Sequence, residues 1–331
     1  MAIIANTLQT PTSKTNREKL SDRVSRIYPE DTPIYSDISK DSIDGTHPEW
    51  PEQTINAPVD NAQLEGDQFA FDATLVPTRL GNYTQIFRRT GIISESQEQA
   101  DDAGTVLKIA RSAVDRGVEI RRDVELSIVL ANPSVAGTTR KSASLSTWLT
   151  TNVSRGATGA NGGFNTGTGL TAAPTNGTLR AYTQTLMDDV MQAVMNSGAR
   201  VRNVYMSLYN KRVFVSFMSN ANVATFRYPV DNGNSNAIVS NADDYHGPYG
   251  MVTIKPNQVM TQGGAGTARN IFMVDPENLS WIWFRPIRRV QNLANDADAK
   301  KLVVIGEGCL KVASEKAHAV IADTFGLTAT T

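Results

Sequence analysis

The chain has one cysteine, Cys309, and three histidines, His47, His246 and His318, in 331 residues. A lone thiol forms no internal disulfide and no cysteine-rich metal site, which fits a reducing compartment and argues against a disulfide-stapled domain. Charge of one sign is missing too: 32 Lys and Arg stand against 33 Asp and Glu, a net −1 at pH 7. A dedicated nucleic-acid binder normally carries a clear basic excess, so any DNA contact is expected to be local. No run approaches the roughly 18 apolar residues of a membrane span. The start, Met1 to Lys14, is too polar for a secretory signal.

Catalytic groups are scarce. Gly263-Gly264-Ala265-Gly266-Thr267 is not followed by Gly-Lys-Ser/Thr, and the glycine-rich run 156–169 does not join a strand to a helix start. No Gly-x-Ser-x-Gly elbow occurs. Cys309 and His318 lie nine residues apart and could form a nucleophile pair. The plainer reading is a small buried cysteine. Asp243–Asp244 and Asp296/Asp298 read as solvated acidic clusters, since a hard cation needs several converging oxygens. No catalytic, cofactor-binding or metal-binding residue is assigned, and the chain reads as a non-enzyme.

What is present is an ordinary folded protein: 40% hydrophobic and 20% charged residues support a sizeable core. Residues 1–60 contain Pro11, Pro29, Pro33, Pro48, Pro51 and Pro58, a density that favours an extended arm. A short helix at Asn16–Tyr28 is possible, with Leu20, Val24 and Ile27 on one face. In 61–95, Phe69, Phe71, Ala73 and Leu75 alternate with polar neighbours, and Tyr83–Ile93 is rich in β-branched and aromatic types. With Pro77 and Gly81 between them, these two runs predict a long β-hairpin. Such a ribbon is marginal alone, so it belongs either to a core or to a neighbour.

Ala103, Leu107, Ala110, Val114, Val124 and Ile128 keep helical spacing, and the next proline is Pro133. They predict a spine helix over 96–131, with Asp101 and Asp102 favouring its N-terminal dipole. Gly117 inside it suggests a bend or close packing. Residues 132–177 read as loop, apart from an apolar patch at Leu145–Leu149. A helix follows at Leu179–Asn196, ended by Gly198, then a strand at Val201–Leu208 and a helix at Asn210–Met218. Strands recur at Met251–Lys255, Asn270–Val274 and Ser280–Phe284. Lys301–Ala322 reads as a strand pair turning near Ala313–Lys316. The pattern is mixed α+β.

Arginines cluster at Arg88–Arg89, at Arg121–Arg122, and at Arg285, Arg288 and Arg289. Guanidinium forks bind carboxylates as well as phosphates. With net charge near zero, subunit salt bridges are the preferred reading over DNA contact.

The stretch Thr78-Arg79-Leu80-Gly81-Asn82-Tyr83-Thr84-Gln85-Ile86-Phe87, then Ser94 and Gln97–Ala100, resembles the major head proteins of podovirus-like tailed phages. The resemblance continues through Arg121-Arg122-Asp123-Val124-Glu125, Arg140 with Thr151-Asn152, and Asn203–Phe217. It resumes at Val274-Asp275-Pro276-Glu277, Arg285-Pro286 and Glu307–Ile321. It covers most of the chain after residue 49; residues 155–177 and 228–250 look like insertions.

The resemblance implies the Hong Kong 97 type capsid fold. Its parts would be an N-terminal arm (1–60), an extended loop (61–95), a peripheral domain (96–177 and 281–331) and an axial domain (178–280). It implies a virion protein, assembled in the host bacterial cytoplasm into pentamers and hexamers of an icosahedral head enclosing double-stranded DNA. Implied partners are copies of itself, a scaffolding protein, a portal, decoration proteins and packaged DNA held non-specifically on the inner face, with no membrane. Met1 favours a separate scaffold over a cleaved N-terminal one. The interface candidates are Phe69, Phe71, Leu75 and Phe87 for apolar contact, and Arg79, Gln85, Arg88, Arg121, Arg122, Arg285, Arg288 and Arg289 for polar contact. The alternative is a tail-tube protein or an encapsulin-like compartment shell.

Overall fold

The computed structural model describes residues 31–66, 68, 71–100, 108–217, 243–291, 293–294 and 297–330. The predicted helix at Asn16–Tyr28, Phe69, Asp101, Asp102, Ala103, Leu107 and Asp296 lie outside the described residues.

In chain order the first half holds α1 (Pro33–Asp37), β1 (Ser39–Ser42), β2 (Glu49–Glu52), β3 (Thr78–Gly81), β4 (Gln85–Ser94), α2 (Glu95–Gln99), α3 (Lys108–Val129), α4 (Leu145–Trp148), β5 (Val153–Ser154), β6 (Gly163–Asn165) and β7 (Leu170–Ala172). The second half holds α5 (Gln184–Asn196), β8 (Asn203–Met206), α6 (Leu208–Phe217), β9 (Asp244–Gly247), β10 (Gly250–Pro256), α7 (Gln258–Gln262), α8 (Ala265–Ala268), β11 (Ile271–Val274), β12 (Leu279–Arg289), β13 (Ala299–Val312) and β14 (Ala319–Ile321).

Two sheets organise the molecule. A four-stranded sheet runs β1-β12-β13-β4, and a six-stranded one runs β5-β14-β11-β8-β10-β9. The two-residue period of a strand explains how the second sheet serves two cores. Val204, Met206, Ile271, Met273, Ala319 and Ile321 point to a core shared with α5 and α6. Their alternates Tyr205, Phe272, Val274, Val320 and Ala322 point to the main core. A sheet covered on both faces needs apolar residues at consecutive positions, and β11, Ile-Phe-Met-Val, is buried throughout.

The main core lies between that sheet, α3 and the inner face of the four-stranded sheet. α3 brings Ile120, Val124 and Ile128, one helical turn apart, against Phe87, Trp281, Leu302 and Leu310. Its first half keeps only Ile109 and Ala113 in contact. Gly117 has nothing within 4 Å of a built Cβ, so neither its close-packing reading nor any need for glycine is met there. The expected 96–131 helix is divided. α2 starts at Ser94, whose hydroxyl accepts from the Gln97 N–H, and ends at Ala100 in extended backbone; α3 begins at Lys108.

Several other expectations are corrected. The predicted hairpin does not form. β4 is a strand, but its partner is β13, over ten residue pairs, and the described residues of 68–77 take no strand conformation. β13 offers ten partners, and β12 already holds its Val304–Val312 part in register, which a solitary alternating run cannot match. What does pair near the loop is β2 with β3, Glu52 opposite Thr78. The 31–52 part of the expected arm is built into the chain's own fold. β1 joins β12 in parallel, and Ile34, Ile38 and Trp50 are buried. Lys301–Ala322 is not a strand pair, because β13 belongs to the four-stranded sheet and β14 to the six-stranded one. The helix expected at Leu179 begins at Gln184, where Thr183 caps it through the Leu186 N–H.

Candidate assembly surface

The motif Thr78–Phe87 anchors the surface. Asn82 is fully buried. Its amide donates to the Leu310 carbonyl at 2.7 Å and to Ser142 Oγ at 3.3 Å. Its Oδ1 accepts from the Ala143 and Tyr83 N–H groups at 2.9 and 2.8 Å. One short side chain thus ties the β3–β4 corner to β13 and to the 142–143 loop. Beside it Glu307, with a side chain 1% exposed, accepts from Thr84 Oγ1 (2.8 Å), Arg140 (2.7 Å) and the Arg285 fork (2.9 and 2.6 Å). Burial alone would raise its pKa. The hydrogen bonds from Thr84, Arg140 and Arg285 outweigh that and hold it below the ordinary carboxylate value.

Between the paired ends of β2 and β3, the described residues of 53–77 carry no helix or strand and are exposed throughout. Ile55, Val59, Leu64, Phe71 and Val76 are 92%, 78%, 79%, 95% and 83% exposed, and Leu75 is 37% exposed. Scattered apolar residues on a surface need no explanation, but this concentration marks an interaction site. Ile55, Val59, Leu64 and Val76 were missed in the sequence reading, because they follow no period; Pro58 and Pro77 were the available sign of an extended, solvated chain.

The remaining candidates divide. Phe71 and Leu75 lie on this segment. Phe87 does not serve an interface: it is 5% exposed and packs against Trp281 at 6.0 Å between ring centroids. Arg285 is spent inside the chain on Glu307, and Gln85 accepts from the Ser142 N–H at 3.3 Å. Arg79 pairs with Glu49 at 3.3 Å on the surface, and Arg122 donates to Gln262 at 2.6 Å. Arg88, Arg121, Arg288 and Arg289 are exposed and form no ion pair with the described residues. Arg89, the neighbour of Arg88, forks onto Asp123 of α3 at 2.6 and 2.5 Å.

The catalytic alternatives find no geometry. Cys309 is fully buried in β13, and burial pushes its thiol up to about 12. His318 is fully buried, and burial lowers its pKa to about 4, so it is neutral. Its Nδ1 accepts from the Asp275 N–H at 3.3 Å, which leaves Nε2–H to donate to the Asn278 carbonyl at 3.2 Å. Both ring nitrogens are thereby used in holding backbone. Asp243 pairs with Lys211 at 3.1 Å. Among the described residues no group of His, Cys, Asp and Glu is placed to hold a metal, and no helix is long and apolar enough to cross a membrane.

Two sheets, a spine-like α3 and an exposed segment between the paired β2 and β3 define a class. The architecture is that of the Hong Kong 97 type tailed-phage capsid subunit. The capsid asymmetric unit of cyanophage A-1(L) superposes with TM-score 0.62 at 11% identity, covering 96% of this chain and 100% of that one. A chain from the capsid of a native GTA particle gives TM-score 0.62 at 12% identity (95% and 97%). One from Mycobacterium phage Adephagia gives 0.60 at 10% identity (96% and 98%). The sequence goes further than the fold. Residues 4–325 match the SU10 major capsid protein family, and the chain belongs to that family of structural phage-head proteins. A stretch of 115 residues is also 34% identical to the major capsid protein of Escherichia phage Phieco32, covering 33% of this chain and 32% of that relative, about a third of its length.

Proposed function

We propose that the chain self-assembles into pentamers and hexamers of an icosahedral head around double-stranded DNA, and that residues 53–77 dock on an adjacent copy. One chain builds both rings through head-to-tail contacts that close. The carrying observation is the exposure of Ile55, Val59, Leu64, Phe71 and Val76 in one segment whose two ends are tied together by β2 and β3. Burying each such side chain contributes about 1.5–3 kcal/mol. In this reading 53–77, and not a 61–95 hairpin, is the extended loop. α3 and the four-stranded sheet form the peripheral part, and α5, α6 and most of the six-stranded sheet the axial part. The N-terminal residues would serve as the arm. Assembly in the host cytoplasm with a scaffolding protein, a portal and decoration proteins, and non-specific DNA contact on the inner face, belong to the same proposal. The balanced charge suits a container that releases its genome, since a strongly basic lining binds DNA with steep salt dependence.

The test replaces 53–77 by Asn-Gly, a two-residue turn that joins antiparallel strands, with the variant co-expressed alongside the phage's other head genes. Soluble subunits with an unchanged thermal melt and no closed particles by electron microscopy are expected. Normal particles would overturn the docking reading.

A further inference from the structure

The outer face of the four-stranded sheet, turned away from α3, has an open end. Strand register lays its residues out in rows. Ile86, Glu307 and Arg285 form one row; Arg88, Ile305 and Arg288 the next; Ile92 and Lys301 lie two rows further on. Glu307 is buried and its charge is met by Arg140 and Arg285, while Ile86 and Ile92 are 49% and 64% exposed. The open end therefore sets Ile86, Ile305, Val303 and Ile92 in a track beside Thr90 and Lys301, with Ile305 at its centre and arginines on both flanking strands. Arg88 and Arg288 stand about 10 Å apart across β13, and neither forms an ion pair with the described residues.

The 53–77 segment is the chemical inverse. It contains Asp60, Glu65, Asp67 and Asp72 and no Lys or Arg. Three times an exposed apolar side chain is followed at once by an acid: Val59–Asp60, Leu64–Glu65, Phe71–Asp72. In a polyproline-like chain successive side chains diverge by about 120°. An apolar residue set down on the track therefore sends the next side chain sideways, toward the flanking strands where the arginines stand. Roughly 25 residues tied at both ends span at most about 40 Å from the body when fully extended, long enough to meet a second subunit.

We propose that this face, with Arg88 and Arg288 flanking Ile305, is the seat for the acidic 53–77 segment of a second copy of the chain. The proposal rests on the docking reading above and adds the receptor and its charge code. Packaged nucleic acid is the other anion at hand, but phosphates would take the arginines and leave Ile86, Ile92 and Ile305 uncovered. The acidic, apolar segment matches both halves of the surface. Complementary charge also fixes register and rejects wrong partners.

The test co-expresses three full-length variants with the head genes and counts closed particles by electron microscopy. R88E with R288E is expected to lower the yield about tenfold or more, with an unchanged melting temperature of the subunit. D60K with E65K and D72K is expected to do the same. All five changes together should recover most of the yield. Failure of that recovery would overturn the pairing. If deleting 53–77 abolishes particles while R88E with R288E leaves them intact, the segment docks elsewhere; this inference falls and the docking reading stands. Intact particles from the deletion would remove both. Normal particles that lose DNA on reversal of the arginines would make the face a nucleic-acid contact, which also overturns the proposal.

Discussion

Residues 31–52 and 53–77 are neighbours with similar proline-rich, polar sequences and opposite fates. The first buries Ile34, Ile38 and Trp50 in its own chain; the second leaves Ile55, Val59, Leu64 and Phe71 in water. The difference lies in what receives them. α1 is met by Glu125, a fully buried carboxylate of α3 that accepts from the Ile34 and Tyr35 N–H groups at 3.1 and 2.7 Å. Glu125 also accepts from Asn257 Nδ2 at 2.5 Å, and Asn257 in turn caps α7. Asp37, at the end of α1, takes Lys255 at 2.8 and 2.7 Å and the Tyr205 hydroxyl at 2.5 Å. The described residues of 53–77 stay exposed along the whole segment. Apolar content therefore decides where a segment can go, and polar partners for its backbone and termini decide where it does go.

The largest effect that breaks this contrast is expected from Trp50→Ala. Trp50 packs against Trp148 at 5.6 Å between ring centroids and donates from Nε1 to the Val312 carbonyl at 2.9 Å. Its loss should cost about 3–5 kcal/mol in denaturant unfolding, and a loss under about 1 kcal/mol would show that β2 is not part of the core.

Glu125 gives the next. Burial raises its pKa to about 7. The N–H groups of Tyr35 and Ile34 and the Asn257 amide oppose this, while the charge of Asp31 adds to it. The folded state thus holds a proton that the unfolded state releases near 4.5. The contribution is full below about pH 4.5 and fades as pH rises to about 7, a loss on the order of 3 kcal/mol. Glu307 works in the opposite sense and in a separate window: its lowered pKa stabilises above its unfolded value and is lost as pH falls below about 4.5. His318, held neutral with its pKa lowered to about 4, acts in the opposite sense over nearly the same range, so the two slopes offset in the wild type. Glu125→Gln should remove the decline and leave stability rising with pH from 4.5 to about 6.5 in unfolding measurements. A difference between the wild-type and Glu125→Gln profiles that does not change with pH would refute the assignment.

Phe71→Ser sharpens the contrast from the other side, with the smallest expected effect. At 95% exposure it should change subunit stability by less than about 0.5 kcal/mol, while lowering particle yield. A destabilisation above about 1 kcal/mol would mean that the segment packs at home.

Much of the fold was legible where local pattern and tertiary demand agree. α5, β8, α6, β10, β11 and the start of β12 fall close to their predicted spans, because each carries a clean period and a cap or breaker, such as Thr183 and Gly198. Partners were not legible. The alternation at Phe69–Leu75 was real, yet strand period says nothing of what will pair, and β13 took β4 instead. Likewise β13 and β14, six residues apart, belong to different sheets, a choice made by the two-sided burial of β14. Of the candidate site, the exposed arginines Arg88 and Arg288 were readable as types. That Phe87 points into the core while Ile86 points out, and that Arg285 meets Glu307, depended on a register that no single strand encodes.

The β2–β3 junction has a mechanical consequence. Its strands are antiparallel and joined only through 53–77, so tension on that segment pulls both in the same direction, with little shear between them. The load passes instead to what holds the pair down: Trp50 Nε1 on the Val312 carbonyl and Asn82 Nδ2 on the Leu310 carbonyl. Those two oxygens belong to a single strand, β13, which pairs with β12 at this end and with β4 from Gly308 back to Ala299. Tension arriving from a neighbouring subunit is thus delivered to the best-braced strand of the sheet and spread sideways through its ladders, and not concentrated on the loop's own short pairing.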